Sequence, residues 1–212
     1  MAKGQFIAIE GGEGSGKSTQ AKLLAEALKA RGLDVDLTRE PGGTPGAEAI
    51  RGLLLHPPGE GWGAEAEALL FAAARADHVA RRIKPALEAG RWVVCDRFVD
   101  SSRAYQGGAG GVGDETVRAL HEIGSGGLRP DVTLLIAVDP TVASRRIAQR
   151  DGNAADAIGG RGQLYHAAVA RAFKEMAEAE PHRFVLVDGN GPPEAVQARL
   201  IGALTPMLEQ DR

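Results

Sequence analysis

The chain has 212 residues, of which 25 are lysine or arginine, 28 are aspartate or glutamate and one is cysteine. The net charge of −3 argues against a protein that binds nucleic acid through a broadly basic surface, and the lone cysteine, Cys95, excludes an internal disulfide. No apolar stretch reaches the ~18–20 residues of a membrane span, and the early glycine-rich segment leaves no room for a signal peptide. We therefore expect a cytoplasmic protein that folds as one domain over residues 1–212.

The first predicted elements are a strand, a glycine-rich loop and a helix. Residues 6–9 form an apolar run that predicts a buried strand, and residues 21–30 have helical spacing. The loop at residues 11–19, GGEGSGKST, fits the pattern G-x-x-x-x-G-K-[ST] at Gly11, Gly16, Lys17 and Ser18. In this pattern, here called the phosphate loop, main-chain N–H groups surround phosphates, the lysine reaches the β- and γ-phosphates and the hydroxyl binds Mg²⁺. The segment predicts nucleoside triphosphate binding. A flexible glycine-rich turn is the alternative, which the flanking strand and helix disfavour.

Strands and helices alternate along the rest of the chain. Further strands are predicted at 33–38, 91–95, 132–138 and 184–187. Further helices are predicted at 47–55, 64–89, 115–123, 140–150, 164–179 and 192–208. Pro85 predicts a kink or an earlier break in the long helix, and Asp114 is expected to cap the helix that follows it. This alternation predicts an α/β fold of three layers, with a five-stranded parallel sheet and helices on both faces.

Two segments are expected to be less regular. Residues 98–108 have a partly helical pattern that should break at Gly107 and Gly108. Residues 151–162, DGNAADAIGGRG, are polar and rich in glycine, which predicts a mobile loop. Together with Arg146, Arg150 and Arg161, this loop could close over the donor phosphates as a lid and exclude water.

Charged residues follow the predicted strands directly. Because the carboxyl ends of parallel strands meet at one edge of the sheet, where ligands bind, we expect all of them to gather beside the phosphate loop. They are Glu10, Arg39, Asp96, Arg97, Asp139 and Asp188. For any one of them, the simpler interpretation is a chain that meets water at the end of a strand.

The candidates for phosphoryl transfer are an acid and three arginines. Asp96 ends an apolar strand and is placed like the acid that helps to hold Mg²⁺ in such enzymes. A kinase whose acceptor is already phosphorylated needs a second anion site, and a guanidinium suits a phosphate because it donates two hydrogen bonds. Arg39, Arg51 and Arg97 are the candidates, although Arg51 alone would more simply be a solvated helix residue.

Other polar side chains could bind a nucleobase and its sugar. Phe71 and Arg75 share one helix face, so that a ring could stack on a base while a guanidinium donates to an exocyclic oxygen. A core phenylalanine beside a surface arginine is the alternative. Hydroxyl and amide groups that could read a pyrimidine edge are concentrated nearby, at Ser101, Ser102, Tyr105 and Gln106.

Taken in order, these segments resemble the bacterial thymidylate kinases, a family of P-loop nucleoside monophosphate kinases. The resemblance spans nearly the whole chain and depends on EGGEGSGKST, TREPGGT with the later EAIRGLLL, ALLFAAAR, the strand-end DRF and SSRAYQGG. It implies a P-loop NTPase-type fold and transfer of the γ-phosphate of ATP to dTMP, which gives ADP and dTDP for dTTP synthesis. It also implies Mg²⁺ and a homodimer, whereas the net charge and the lack of a long apolar stretch predict neither nucleic acid nor membrane as a partner.

The resemblance also implies roles for individual residues. The ATP phosphates would be held by Gly11, Gly12, Glu13, Gly14, Ser15, Gly16, Lys17, Ser18 and Thr19. Glu13 would lie near the acceptor's sugar and phosphates, and Arg39, Arg51 and Arg97 would surround the dTMP phosphate. Phe71 would stack on thymine, Arg75 would bond its carbonyl, and Ser101, Ser102 and Gln106 would line the base pocket. Tyr105 would crowd the position of a 2′-hydroxyl.

The pattern leaves two candidates for the catalytic arginine of the lid. Position 14 is glycine, whereas one branch of the family has an arginine in the phosphate loop and the other supplies it from the lid. The second branch often has Asp-Arg-Ile in the lid, where this chain has Asp156-Ala157-Ile158. Arg150 or Arg161 would then take the role, and we prefer Arg150, alongside Lys17, Arg97 and Glu13.

Two other classes of function are compatible with a phosphate loop. One is another small P-loop kinase that acts on a different nucleotide or on a nucleoside. The other is a P-loop switch that signals by conformation, but such proteins need an Asn-Lys-x-Asp motif and a D-x-x-G turn. Neither is present, since DRFV and DPTV follow the candidate strands.

Overall fold

The structure, a computed structural model, describes residues 4–151 and 156–210, without the side chains of Arg150, Asp151 and Gln210. Within these ranges the strands are β1 (Phe6–Glu10), β2 (Val35–Arg39), β3 (Trp92–Asp96), β4 (Val132–Ala137) and β5 (Phe184–Asp188). They form one parallel sheet in the order β2-β3-β1-β4-β5. The predicted five-stranded parallel sheet is therefore confirmed.

Most helices of the described ranges connect these strands, and the last two follow β5. They are α1 (Lys17–Lys29), α2 (Pro45–Leu55), α3 (Ala64–His78), α4 (Lys84–Glu88), α5 (Val99–Ser102), α6 (Asp114–Ser125), α7 (Pro140–Asp151), α8 (Gln163–Ala179), α9 (Pro193–Ala203) and α10 (Thr205–Gln210). Two π-helical segments continue α3 and α5, at Val79–Ile83 and Arg103–Ala109. No helix among the described residues has the length and apolar character needed to cross a bilayer.

Helices cover the central strand β1 from both sides, which is why all five of its residues are buried. On one face, apolar residues of α1 and α9 such as Leu24 and Leu200 pack with Ile7 and Ile9. On the other face, Phe6 packs with residues of the first π-helical segment and of β3. A third cluster joins β4 and β5 to α8 and to the second π-helical segment. The predicted arrangement of helices on both faces is confirmed.

A buried group of ion pairs links α5 to residues at and just after the C-terminal end of α8. The fully buried carboxylate of Asp100 accepts hydrogen bonds from both terminal nitrogens of Arg183, each at 2.7 Å, and from Arg103 at 2.9 Å. Arg103 also donates to Asp114 at 2.6 Å and to Glu180 at 2.8 Å. Because buried charges are tolerated only when they are paired, this group fixes α5 against the sheet.

Three details differ from the sequence predictions. The segment after α5 does not break at Gly107 and Gly108 but continues as a π-helix to Ala109. Asp114 does not cap the next helix, since its carboxylate binds Arg103 and Arg118 instead.

The predicted last helix is also wrong, because α9 ends at Ala203 and α10 begins at Thr205. The reason is Pro206, which has no N–H to donate and whose ring would meet the carbonyl four residues earlier. Pro85 acts similarly. It is preceded by the first π-helical segment, in which the Lys84 N–H bonds the carbonyl of Val79, so the predicted disturbance of the long helix is confirmed.

Candidate active site

A cavity of about 1240 Å³ opens at the carboxyl edge of the sheet. Its lining brings together residues of the phosphate loop with side chains that follow β2 and β3 and with side chains of α2 and α3. The predicted acceptor-site residues that line it are Arg39, Arg51, Phe71, Arg75, Arg97, Ser101, Ser102, Tyr105 and Gln106. Two sets of residues that are distant in sequence thus share one space.

The phosphate loop has the backbone that its glycines predict. Gly14 has a φ of 73°, and a Cβ there would lie 2.5 Å from the carbonyl oxygen of Ala143. Gly16 has a φ of 90° and directly precedes α1. Lys17 is 6% exposed and its Nζ donates to Gly12 O at 2.7 Å and to Ser15 Oγ at 3.2 Å. Burial, and then the charge of Arg97, lower the pKa of Lys17 to about 8, so the ammonium is still mostly charged at neutral pH.

The loop and β3 meet at a hydroxyl–carboxylate pair that fits Mg²⁺. Ser18 Oγ donates to Asp96 Oδ2 at 2.5 Å. The other carboxylate oxygen, Asp96 Oδ1, is buried and has no hydrogen-bond partner. Mg²⁺ prefers hard oxygen ligands and usually takes few of them from the protein, with phosphates and water as the rest. A buried oxygen without a partner beside a serine hydroxyl meets that demand. Among the described residues, no group of three or more acidic, histidine or cysteine side chains could hold a metal ion without such outside ligands.

Arg97 has a backbone that is unusual for a residue with a side chain, with a φ of 69°. Its guanidinium forms an ion pair with Glu13, donates to Ser101 Oγ at 3.1 Å and lies 5.0 Å from the centre of the Tyr105 ring. The Tyr105 hydroxyl in turn donates to Glu13 at 3.3 Å. A strained arginine that is held by several partners is typical of functional sites.

Of the six strand-end charges predicted to gather along one rim of the sheet, three do not line the cavity. Asp139 and Asp188 are exposed and do not line it, and Asp188 accepts from Asn190 at 2.8 Å. Glu10 is fully buried beneath the site. Its carboxylate accepts from the N–H groups of Phe98 and Ser101 at 2.8 and 3.0 Å, and from Ser101 Oγ at 2.6 Å.

Glu10 also has an altered acidity. Burial, and then the nearby charge of Asp100, raise its pKa to about 7. Strand position alone does not reveal such differences, because it does not say whether a charge meets water, the cavity or a buried helix end.

The remaining phosphate-site candidates are held by main-chain and carboxylate groups. Arg39 donates to both oxygens of Glu48, at 3.0 and 3.1 Å, and is about half exposed. Arg51 donates to Pro41 O at 2.8 Å. Both residues line the cavity, where these contacts hold their side chains.

Arg75 is buried in the cavity wall, where it pairs with Glu40, a residue that the sequence pattern did not single out. It is 3% exposed, and it donates to Glu40 Oε2 and to Ser102 Oγ, each at 2.7 Å. Burial alone would raise the pKa of Glu40, but Arg75 and His78 outweigh it and hold the pKa below its usual range. Glu40 lies within TREPGGT, so its position after a strand was the available signal.

The lid candidates lie in different places. Arg146 lines the cavity and donates to Ser15 O at 3.4 Å and to Gly189 O at 3.2 Å. Arg145 and Gln149 also line it and were missed, since an exposed polar helix face carries no distinguishing pattern. Arg161 instead forms an ion pair with Glu67, outside the lining of this cavity. The side chain of Arg150 and residues 152–155 lie outside the described part of the chain.

Proteins with similar sequences and structures point to one family. A family model described as thymidylate kinase matches residues 9–200. The chain belongs to the thymidylate kinase family. A thymidylate kinase of Rhizorhabdus wittichii is 58% identical over 205 residues, covering 97% of this chain and 99% of the relative. A thymidylate kinase of Bradyrhizobium diazoefficiens is 46% identical over 207 residues, covering 97% and 91%.

The fold agrees with that of a solved member of the family. The crystal structure of thymidylate kinase from Ehrlichia chaffeensis superposes with a TM-score of 0.76 at 33% identity. It covers 96% of this chain and all of its own. The predicted P-loop NTPase-type fold and the resemblance to thymidylate kinases are therefore confirmed.

Proposed function

We propose that this protein transfers the γ-phosphate of ATP to dTMP within the large cavity, with Mg²⁺ as cofactor. The observation that carries the proposal is that the phosphate loop and the predicted acceptor residues line one cavity of about 1240 Å³. A donor and an acceptor held in the same space can react in line, and most of the catalysis of phosphoryl transfer is positioning and charge stabilisation.

The donor would bind through the phosphate loop. Main-chain N–H groups of residues 11–19 and the N-terminus of α1 would surround its phosphates, and Lys17 would leave its loop contacts for the β- and γ-oxygens. Ser18 and Asp96 would hold Mg²⁺, which neutralises phosphate charge when it is bound.

The acceptor would bind through arginines and one aromatic ring. Arg39, Arg51 and Arg97 would hold the monophosphate, since all three line the cavity. Phe71 would stack on the base while Arg75, fixed by Glu40 and Ser102, would donate to a ring carbonyl. Tyr105, held near Glu13 and Arg97, would fill the space that a 2′-hydroxyl needs. The base pocket would be completed by Ser101, Ser102 and Gln106.

Charge stabilisation during transfer would come from Lys17, Arg97 and a lid arginine. Lys17 is buried and Arg97 is only partly exposed, and both are already held by partners, which makes their charges more effective than in water. Glu13 would keep Arg97 in place, and we assign the lid arginine to Arg150.

A coupled assay of ADP release with and without dTMP tests the proposal. ADP should form rapidly with dTMP, and UMP and CMP should react much more slowly than dTMP and dUMP. Slow hydrolysis that does not depend on any acceptor would instead identify a P-loop switch, and a preference for another acceptor would identify a different nucleotide kinase.

We also infer a homodimer in the cytoplasm. Three large apolar side chains are exposed on α2, α3 and α6, namely Leu53 at 46%, Leu69 at 56% and Ile123 at 85%. Because α3 packs against both α2 and α6, and large contiguous apolar surfaces mark protein–protein contacts, we expect these side chains to contribute to the interface. Sedimentation equilibrium should give twice the mass of the 22.1 kDa chain, and a single-chain mass would contradict the inference.

A further inference from the structure

Glu67 joins the base-pocket residue Gln106 to Arg161, which lies at the end of the predicted lid loop. It lies in the first turn of α3, is 6% exposed, and borders a smaller cavity of about 150 Å³ with Gln106 and Arg161. One of its oxygens, Oε1, accepts from Gln106 Nε2 at 2.9 Å. The other, Oε2, accepts from the guanidinium of Arg161. Both oxygens of this buried carboxylate are therefore engaged.

We propose that Glu67 is a positioning residue that fixes the side-chain amide of Gln106, so that the acceptor site selects bases with a ring N–H over cytosine. The inference rests on the proposed function, because Gln106 matters for selection only if a nucleoside monophosphate binds beside it.

The orientation of the amide follows from the chemistry of its partner. An ionised carboxylate accepts hydrogen bonds and cannot donate one, and Arg161 provides a permanent positive charge beside it. Gln106 must therefore present its NH₂ group to Glu67. Because the oxygen and nitrogen of an amide lie on opposite sides of its terminal carbon, the carbonyl oxygen turns away from Glu67. Gln106 lines both cavities, so an oxygen that is turned away from Glu67 is placed to accept a hydrogen bond from a base bound in the large cavity.

The hydrogen-bond acceptor that Gln106 provides complements the hydrogen-bond donor that Arg75 provides. Gln106 and Ser102 are four residues apart in one helical segment, and Ser102 bonds the Arg75 guanidinium at 2.7 Å. The wall therefore offers a donor for a carbonyl and, beside it, an acceptor for an N–H. Thymine and uracil have this pair at positions 4 and 3, whereas cytosine has an amino group and an unprotonated nitrogen. Cytosine would leave buried polar groups without partners, which is costly.

Arg161 contacts Glu67 as well, which gives Arg161 a structural role in the acceptor site instead of a catalytic one. Its guanidinium lies 4.7 Å from the centre of the Tyr165 ring and donates to the Tyr165 hydroxyl at 2.6 Å. That hydroxyl donates to Tyr105 O at 2.8 Å. Glu67 is thus held by a residue that is itself anchored to the acceptor site, so its carboxylate cannot turn away from Gln106.

The test is the Glu67→Gln variant, assayed with dTMP, dUMP and dCMP. A glutamine at position 67 can donate as well as accept, so Gln106 would no longer be confined to one orientation. We expect the ratio of kcat/KM for dTMP to that for dCMP to fall by about 10-fold or more. The ratio for dTMP and dUMP, which share the ring N–H, should not change. Glu65→Gln, on the same turn but exposed, is the matched control and should leave both ratios unaltered.

The outcomes separate this inference from the proposed function. Each ratio is measured on one preparation, so it does not depend on how much of the variant is folded. In Glu67→Gln, the ratio of kcat/KM for dTMP to that for dCMP could stay within about threefold of the wild-type ratio. Such a change is smaller than the effect of a typical hydrogen bond, and it would overturn the role of Glu67. A fall that occurs equally in the dTMP to dUMP ratio would also overturn it. Failure of the proposed function would appear earlier, as wild-type protein that does not phosphorylate dTMP.

Discussion

The hydroxyl of Ser18 donates to the carboxylate of Asp96 at 2.5 Å, which joins the first turn of α1 to the end of β3. The two residues are 78 positions apart in the chain, and their contact exists because β3 is the neighbour of β1 in the sheet. The remaining oxygen of Asp96 is buried without a partner. This pair is the feature of the site that most directly predicts a response to metal.

Replacing Asp96 with asparagine should weaken the use of Mg²⁺. The amide keeps the shape but removes the negative charge, so the Mg²⁺ concentration for half-maximal rate should rise by about 10- to 100-fold. A Mg²⁺ titration of the dTMP-dependent rate measures it. Asp188→Asn, also at a strand end but outside the cavity, is the control and should behave like the wild type. An unchanged Mg²⁺ dependence in Asp96→Asn would remove Asp96 from the metal site.

Replacing Arg150 with alanine should reduce turnover without affecting acceptor binding. A lid arginine stabilises charge only during transfer, so kcat should fall by about 10³-fold while KM for dTMP stays nearly constant. Steady-state kinetics with dTMP as the varied substrate measure both. Arg171→Ala, at an exposed position of α8, controls for the loss of one surface charge. Near-normal turnover would move the role to Arg146, which already lies at the cavity.

Replacing Asp100 with asparagine should destabilise the fold. It would leave the guanidinium groups of Arg103 and Arg183 buried without their shared carboxylate, which costs about 3–5 kcal/mol. Urea unfolding followed by circular dichroism gives the free energy of unfolding. The control Glu175→Gln breaks an exposed pair with Arg171 and should cost less than about 1 kcal/mol. Equal losses in the two variants would show that the buried group contributes no more than a surface pair.

Glu10 should make stability depend on pH near neutrality. Its pKa is raised from 4.5 to about 7, so between these values the folded state binds more protons than the unfolded state. Stability from this group is therefore present at low pH and is lost as pH rises towards 7. Relative to Glu10→Gln, the wild type should lose roughly 3 kcal/mol of its free energy of unfolding between pH 4.5 and pH 8.

Urea unfolding at several pH values measures this difference. Glu26→Gln, exposed on α1, is the control and should show a difference that barely changes with pH. If the difference between the wild type and Glu10→Gln were also constant, the carboxyl of Glu10 would have an ordinary pKa in the folded protein.

The sequence was sufficient for the features that depend on local pattern. The phosphate loop, the alternation of strands and helices and the sheet edge follow from glycine spacing, apolar runs and the geometry of parallel strands. The nine predicted acceptor-site residues all line one cavity, because the motifs that hold them lie just after strands or on helices beside that edge.

The supporting carboxylates could not be predicted in the same way. Glu40 and Glu67 bind Arg75 and Gln106 across 35 and 39 residues of sequence. Such contacts depend on how α3 packs against the edge of the sheet, which no local pattern encodes. Glu10 likewise ends a strand as Asp96 does, yet it turns towards the start of α5 instead of the cavity.

The pairing of β1 with β3 has a consequence for the chemistry. Ile9 is opposite Asp96, and the phosphate loop begins two residues after Ile9. A slip of one residue between these strands would displace the loop by about 3.3 Å and turn its side chains to the opposite face of the sheet. A misplacement of only about 1 Å can already slow a reaction by about 100-fold. The main-chain hydrogen bonds between β1 and β3 thus fix the distance between the donor site and the acceptor site before either substrate binds.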